Sequence, residues 1–135
     1  MKLDFVNKTG TKVRKEDFKK LLLKCCDVIK CEVDGVVGLS LISDDEITEL
    51  NKVYRGKDEP TDVLSFSYLE SEEIPRDDVL GEVFISVETA KKQSIDLGNE
   101  LRTLFVHGLL HIFGFTHDTN SDENFMNDIV QKILT

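Results

Sequence analysis

The chain has 135 residues, of which 40% are hydrophobic and 32% charged, and its formal net charge is −9. This composition is typical of one globular domain, residues 1–135, with a hydrophobic core of ordinary size. No apolar run approaches the roughly 20 residues of a membrane helix. The N-terminus is typical of a strand rather than a secretory signal, so we predict a cytoplasmic protein.

The predicted elements follow from apolar periodicity and from capping and turn residues. In chain order they are a strand at 3–6, a turn at 7–11, a helix at 16–29, a strand at 36–42, a helix from 43–46 to about 54, a polar loop at 55–60, a strand at 62–68, an acidic excursion at 69–78, a strand at 80–87, a helix at 89–97 that stops at Gly98, a helix capped by Asn99 that runs to Ile112, and a terminal helix that starts at Ser121. Interleaved strands and helices predict an α/β or α+β domain around one sheet.

Charge is distributed unevenly along the chain. Residues 1–30 hold nine Lys and Arg against four Asp and Glu, whereas residues 31–135 carry a net charge of −14. The overall acidity argues against a general nucleic-acid-binding protein. A basic N-terminal face could contact phosphates. The solvated face of a helix accounts for the same lysines, and the charge run alone favours that simpler interpretation.

The three cysteines, Cys25, Cys26 and Cys31, cannot all form disulfides with one another. They also lack the C-x-x-C spacing of a metal site. We therefore interpret them as buried thiols in a reducing cytoplasm.

All three histidines fall in one segment, His107-Gly-Leu-Leu-His111-Ile-Phe-Gly-Phe-Thr-His117. On a helix, His107 and His111 share one face, close enough for both imidazoles to bind one ion. Gly114 would end the helix and turn the chain, which could return His117 as a third ligand. Three histidine nitrogens leave one position of a tetrahedral zinc site open for water, the pattern of a catalytic centre. Zinc is the leading ion, although imidazole also suits nickel, copper or iron.

Gly108 distinguishes this segment from protease motifs. The H-E-x-x-H metalloproteases have a general-base glutamate at that position, and metzincins add a downstream glycine and a third histidine at the spacing seen here. The ligand pattern is therefore metzincin-like, while the protease base is absent. A glycine in mid-helix costs about 1 kcal/mol relative to alanine. It indicates a close approach, either by substrate or another segment, or by a neighbouring helix.

The histidine segment resembles the signature of the YbeY family of bacterial endoribonucleases. Two further parts of the chain agree with it: Asn-Lys-Val-Tyr-Arg at 51–55 with Pro-Thr-Asp-Val-Leu-Ser-Phe at 60–66, and Leu-Gly-Glu-Val-Phe-Ile-Ser at 80–86. The resemblance covers nearly the whole chain. Three positions depart from the family pattern: Thr116 and Glu82 replace aspartates, and Ser67 replaces a common proline.

The resemblance implies a metal-dependent, single-strand endoribonuclease that acts in 16S rRNA 3′-end maturation and in ribosome quality control. It implies a mixed four-stranded sheet flanked by about five helices, with zinc on a C-terminal helix and the following loop, held by His107, His111 and His117. Arg55 matches an arginine that is functionally important in the family. The implied partners are ribosomal RNA and the small ribosomal subunit, with a small-subunit ribosomal protein and a ribosome-assembly GTPase as further candidates.

Two other functions remain open from the sequence. One is a metalloprotease-like hydrolase, which the ligand spacing favours and Gly108 opposes. The other is a non-catalytic ribosome-assembly module whose metal is structural.

Overall fold

The computed structural model describes residues 1–69, 78–116 and 118–135. Within those ranges the elements are β1 (Lys2–Asn7), α1 (Lys15–Val28), β2 (Val36–Ile42), α2 (Asp44–Arg55), β3 (Val63–Ser67), β4 (Val79–Ser86), α3 (Val87–Gln93), α4 (Leu97–Ile112) and α5 (Asn120–Leu134). The predicted single α+β domain with a four-stranded sheet and five helices is confirmed. The predicted acidic excursion falls largely on residues 70–77, outside the described part of the chain.

The sheet is mixed, with strand order β1-β2-β4-β3. Strands β1, β2 and β4 are parallel, and β3 pairs antiparallel with β4 at one edge. The parallel strands are joined through helices, as parallel connections require. This arrangement places β1 and β3 at opposite edges of the sheet.

The main hydrophobic core lies between one face of the sheet and the helices α1, α3, α4 and α5. Helix α4 is the centre of this layer, since its Phe105 is fully buried and meets Phe18 of α1 edge to face at 5.6 Å. On the opposite face the described residues supply α2, which buries a smaller cluster of Ile42, Ile47 and Leu64. The sheet is therefore covered more fully on one face than on the other.

The boundary between α3 and α4 differs from the prediction. Helix α3 ends at Gln93 because Ser94 is extended, and the Asp96 side chain accepts a hydrogen bond from the Asn99 backbone N–H. Asp96, rather than Asn99, is therefore the N-cap of α4, and Gly98 lies inside its first turn. Helix α2 also continues to Arg55, beyond its predicted end, and closes at Gly56 in a left-handed conformation with φ of 69°.

The cysteines are free thiols, but only Cys25 is buried. Burial raises the pKa of the Cys25 thiol to about 12, which keeps it protonated at neutral pH. Cys26 and Cys31 are half-exposed, so the expectation of buried thiols is wrong for these two. Among the described helices, none is long and apolar enough to cross a membrane.

Candidate functional site

Helix α4 carries His107 and His111 and ends in the turn predicted at Gly114. The Gly114 N–H donates to the His111 carbonyl at 3.1 Å, and the Phe115 N–H donates to the Leu110 carbonyl at 2.9 Å. Gly114 has a φ of 94°, in the left-handed region that favours glycine. These two bonds form a Schellman motif, which reverses the chain directly after the second histidine.

The close approach predicted at Gly108 is made to strand β4. A Cβ atom on Gly108 would lie 2.7 Å from Cγ1 of Val83. The contact is therefore between helix and sheet, rather than between two helices or with a substrate. A glutamate at this position would have no room, so the fold itself excludes the general base of the H-E-x-x-H proteases.

A polar cleft of about 370 Å³ opens at the end of α4. Arg55 comes from the last turn of α2 and His111 from α4, and the strand β3 and the segment after α4 complete the wall. The cleft is lined by Arg55, Ser65, Ser67, His111, Thr116 and Asp118. Arg55 and His111, two of the residues predicted for the site, are thus brought together. His107 lies one turn earlier on α4 and is not among the residues that line this cleft.

The ring of His111 is oriented in the way that a metal ligand requires. Its Nδ1 lies 3.1 Å from the Phe115 carbonyl oxygen. Because a carbonyl oxygen can only accept, this contact places the ring proton on Nδ1 and the lone pair on Nε2. Metal-binding histidines characteristically donate their other ring N–H to a carbonyl or carboxylate. His111 therefore fits the predicted metal, with Nε2 as the ligand atom.

A complete ligand set lies beyond the described residues. Within 1–69, 78–116 and 118–135, no group of three or more His, Cys, Asp or Glu side chains is arranged to hold a metal ion. His117, predicted as the third ligand, is outside those ranges. The three-histidine site remains a prediction.

The connection from Arg55 to β3 is held by a buried amide. Asn51 is only 2% exposed, and its Nδ2 donates to the Glu59 carbonyl at 2.8 Å. Its own backbone carbonyl accepts from the Lys57 N–H at 3.3 Å. Asn51 therefore fixes the loop that joins the arginine at the end of α2 to the serines of β3.

Two of the three departures from the family pattern lie in the cleft. Thr116 lines it, and Ser67 both lines it and donates from Oγ to the Ile112 carbonyl at 2.7 Å. Glu82 instead accepts from the Tyr68 hydroxyl at 2.8 Å. Glu82 pairs with Phe66 across the sheet, which places it on the α2 face and away from the cleft.

The sequence reasoning did not identify Ser65 and Asp118 as cleft residues. Ser65 and Ser67 alternate along β3 and so share one face, a signal that the sequence contained. Asp118 follows His117 directly, but nothing in its spacing separated it from an ordinary helix-flanking residue. Only the fold shows that it faces the same cleft as Arg55.

Comparison with known proteins gives a consistent result. The sequence model of the family described as Endoribonuclease YbeY matches residues 4–135. An Endoribonuclease YbeY of Bacillus pumilus (strain SAFR-032) is 39% identical, with 98% of this chain and 92% of the relative covered. That of Geobacillus thermodenitrificans (strain NG80-2) is 34% identical, with 100% and 95% covered. The solution structure of TM1509 from Thermotoga maritima is similar, with a TM-score of 0.57, 27% identity, and 97% of this chain and 88% of that one covered.

Proposed function

The chain belongs to the YbeY family of endoribonucleases, and we propose from this premise that it is a metal-dependent endoribonuclease of single-stranded RNA. The observation that carries the proposal is the cleft in which Arg55 and His111 meet. A guanidinium presents a planar, two-pronged donor that suits a phosphodiester. An imidazole with its lone pair on Nε2 suits a metal ion beside that phosphate.

The proposed metal site consists of His107, His111 and His117. One bound zinc ion would supply a Lewis acid for the scissile phosphodiester, and nickel or another divalent ion is compatible with the same ligands. The Phe115 carbonyl holds His111 in the tautomer and orientation that binding needs.

The protein's own side chains would position the RNA. Arg55 binds a non-bridging phosphate oxygen and stabilises the charge that develops during cleavage. The Ser65 hydroxyl lines the same cleft and can donate to a phosphate or accept from a ribose hydroxyl. Asp118 adds the cleft's one acidic group among its described lining residues, next to a proposed cation ligand.

The proposed biological setting is ribosome maturation. We propose 16S rRNA near its 3′ end as substrate, and the small ribosomal subunit as the particle on which the enzyme acts, including in quality control. A small-subunit ribosomal protein and an assembly GTPase are proposed as further partners. The proposed location is the cytoplasm, which agrees with three free thiols.

The test is cleavage of a single-stranded small-subunit rRNA fragment by zinc-loaded and metal-free protein. We expect cleavage by the loaded form only. His111→Ala should lose both metal and cleavage, whereas Arg55→Ala should retain the metal and lose about 10²-fold or more in kcat. Arg102→Ala is the matched control, because this exposed arginine lines a separate groove with Lys20 and Asn99. Its rate should equal that of the wild type.

The ends of the products identify the nucleophile. A 2′,3′-cyclic phosphate would indicate attack by the RNA 2′-hydroxyl, and a linear phosphate with no cyclic precursor would indicate attack by water. Metal retention without cleavage, on free RNA and on immature small subunits alike, would replace the proposal with an assembly module that has a structural metal. Cleavage of casein that is lost on chelation would indicate a protease.

A further inference from the structure

A second concave surface, which we call the α2 groove, lies between α2 and the less covered face of the sheet. Its apolar residues are Ile42, Leu50, Val53, Tyr54 and Phe84, and its volume is about 600 Å³. The metal and phosphate chemistry proposed above does not use it. The groove exists because the described helices cover this sheet face only in part.

The apolar side chains of the α2 groove are exposed to an unusual degree. Val53 is 70% exposed and Tyr54 is 64% exposed, and both lie on the outer side of α2. The Tyr54 ring packs edge to face on Phe66 at 5.0 Å, and Phe66 packs on Phe84 at 5.8 Å. An aromatic row therefore leads from the helix surface to the sheet. Contiguous apolar surface of this kind characteristically marks an interaction site.

The rim of the α2 groove is acidic. Asp45, Glu46 and Glu49 line it, and Lys8 is the basic residue at its edge. The Lys8 ammonium is already 3.2 Å from a carboxylate oxygen of Glu46. The rim therefore presents net negative charge around an apolar floor.

This charge decides which occupant fits. RNA phosphates would be repelled by the rim. A second copy of the chain, docked by two-fold symmetry, would place the acidic rim against itself. A helix with aliphatic residues on one face and lysines or arginines beside them matches both the floor and the rim. We propose that the α2 groove binds a basic amphipathic helix of a protein partner.

The groove is next to the cleft along the chain. Tyr54 belongs to the groove, and the following residue, Arg55, lines the cleft. A partner bound in the groove would therefore sit beside the end of α2 that presents the arginine. The binding proposal itself does not depend on ribonuclease activity, and its test measures binding alone.

The probe is a fluorescein-labelled helical peptide of leucine and lysine, about 18 residues or five turns long. Fluorescence anisotropy should show saturable binding to the full chain, and the same peptide with glutamate in place of lysine should not bind. Val53→Ser, which removes exposed apolar surface, and Glu49→Lys, which reverses rim charge, should each weaken binding about tenfold, or 1.4 kcal/mol. Neither side chain is buried, so both variants should fold. Ile95→Ser is the matched control, because Ile95 is fully exposed outside the groove, and its affinity should stay unchanged.

Three results would overturn the proposal. The first is a Kd above about 1 mM for the basic peptide, or equal binding of the acidic one. The second is competition by oligouridylate that Val53→Ser abolishes, which would make the groove an RNA surface. The third is concentration-dependent dimerisation in sedimentation equilibrium that Val53→Ser abolishes, which would assign the groove to a second copy.

Discussion

Gly108 sets how closely the helix with the two described histidines can approach the sheet. Although alanine is the better helix former, a Cβ at this position would lie 2.7 Å from Val83 Cγ1, and both partners lie in the packed core. We expect Gly108→Ala to destabilise the protein by about 1–3 kcal/mol through overpacking. Urea unfolding of metal-free protein measures this cost without a contribution from metal binding.

Gly98 provides the control within the same helix. Its Cβ would meet only Asp96 Oδ1, at an ordinary distance of 3.7 Å, and its φ is not positive. Gly98→Ala should therefore stabilise the protein by about 0.4–1 kcal/mol through the unfolded chain. Equal effects at both positions would show that the contact with Val83 does not govern the result.

Asp44 links the start of α2 to α3 and gives stability a dependence on acid pH. Its Oδ1 accepts hydrogen bonds from the Ser86 and Thr89 hydroxyls, each at 2.6 Å. These bonds, with a smaller contribution from Lys92, lower the pKa of the Asp44 carboxyl below its usual range. A depressed folded-state pKa contributes stability that is fully present above the unfolded pKa of about 3.9 and is lost as pH falls towards the folded value.

Asp44→Asn should therefore cost about 1–3 kcal/mol at pH 7, where hydrogen bonds to a charged acceptor are replaced by weaker ones. The difference from the wild type should shrink as pH falls from about 5 to below 4. Urea unfolding over that range measures it. A difference that stays constant with pH would mean that the carboxylate's charge is not the source of the stability.

The site could be predicted from sequence where its residues are close along the chain. The spacing of His107 and His111 indicated a shared helix face, and Gly114 indicated the reversal after it. Ser65 and Asp118 were not found because they reach the cleft through tertiary packing between β3 and the segment after α4. Arg55 was assigned by family resemblance, since a basic residue at a helix end is equally expected as a partner of the helix dipole.

At the scale of elements, strand β3 is bonded to the end of α4 by one side chain. The Ser67 hydroxyl donates to the Ile112 carbonyl, one of the last-turn carbonyls that have no partner within a helix. Ser67→Ala should cost about 0.5–1.5 kcal/mol and should loosen the last turn of α4, which holds His111. Thermal unfolding measures the cost, and amide exchange at Phe113 and Phe115 measures the loosening.

Ser65→Ala is the comparison on the same strand face. Ser65 lines the same cleft, whereas the bond to α4 belongs to Ser67. We expect its stability to stay within about 0.5 kcal/mol of the wild type, as for most substitutions away from buried networks. Faster exchange in both variants would assign the effect to the cleft surface rather than to the bond with Ile112.

Element boundaries were predictable where one residue alone could cap a helix. Ser43 accepts from the Glu46 N–H, as the capping pattern indicated. At α4 two candidates lie three residues apart, and Gly98 between them resembled a helix end. The fold selects Asp96, whose side chain bonds to the N–H of Asn99, so a residue interpreted as the cap is instead the donor. Propensity alone could not decide between them.

At the scale of the whole molecule, the basic helix and the cleft belong to opposite edges of the sheet. Helix α1 contacts β1, whereas Ser65 and Ser67 of the cleft are on β3. Three inter-strand spacings separate these edges, or about 14 Å. This exceeds the Debye length of about 8 Å at physiological salt, so exposed charges on α1 are largely screened from the cleft. The fold thus favours the interpretation of the lysine run as a solvated face.

The double variant Lys19→Gln/Lys20→Gln tests this separation. Both lysines are exposed on α1, so the variant should fold normally. For a short RNA that fills only the cleft, kcat/KM at about 0.15 M salt should stay near the wild-type value, because screening leaves those charges little influence there. Arg55→Gln should lower it about 10²-fold or more. If the double variant lost more than tenfold, its log affinity should also fall less steeply with log salt, by about 0.7 per lost phosphate contact on a single strand. That pair of results would place α1 on the RNA path and make the uneven charge part of substrate binding.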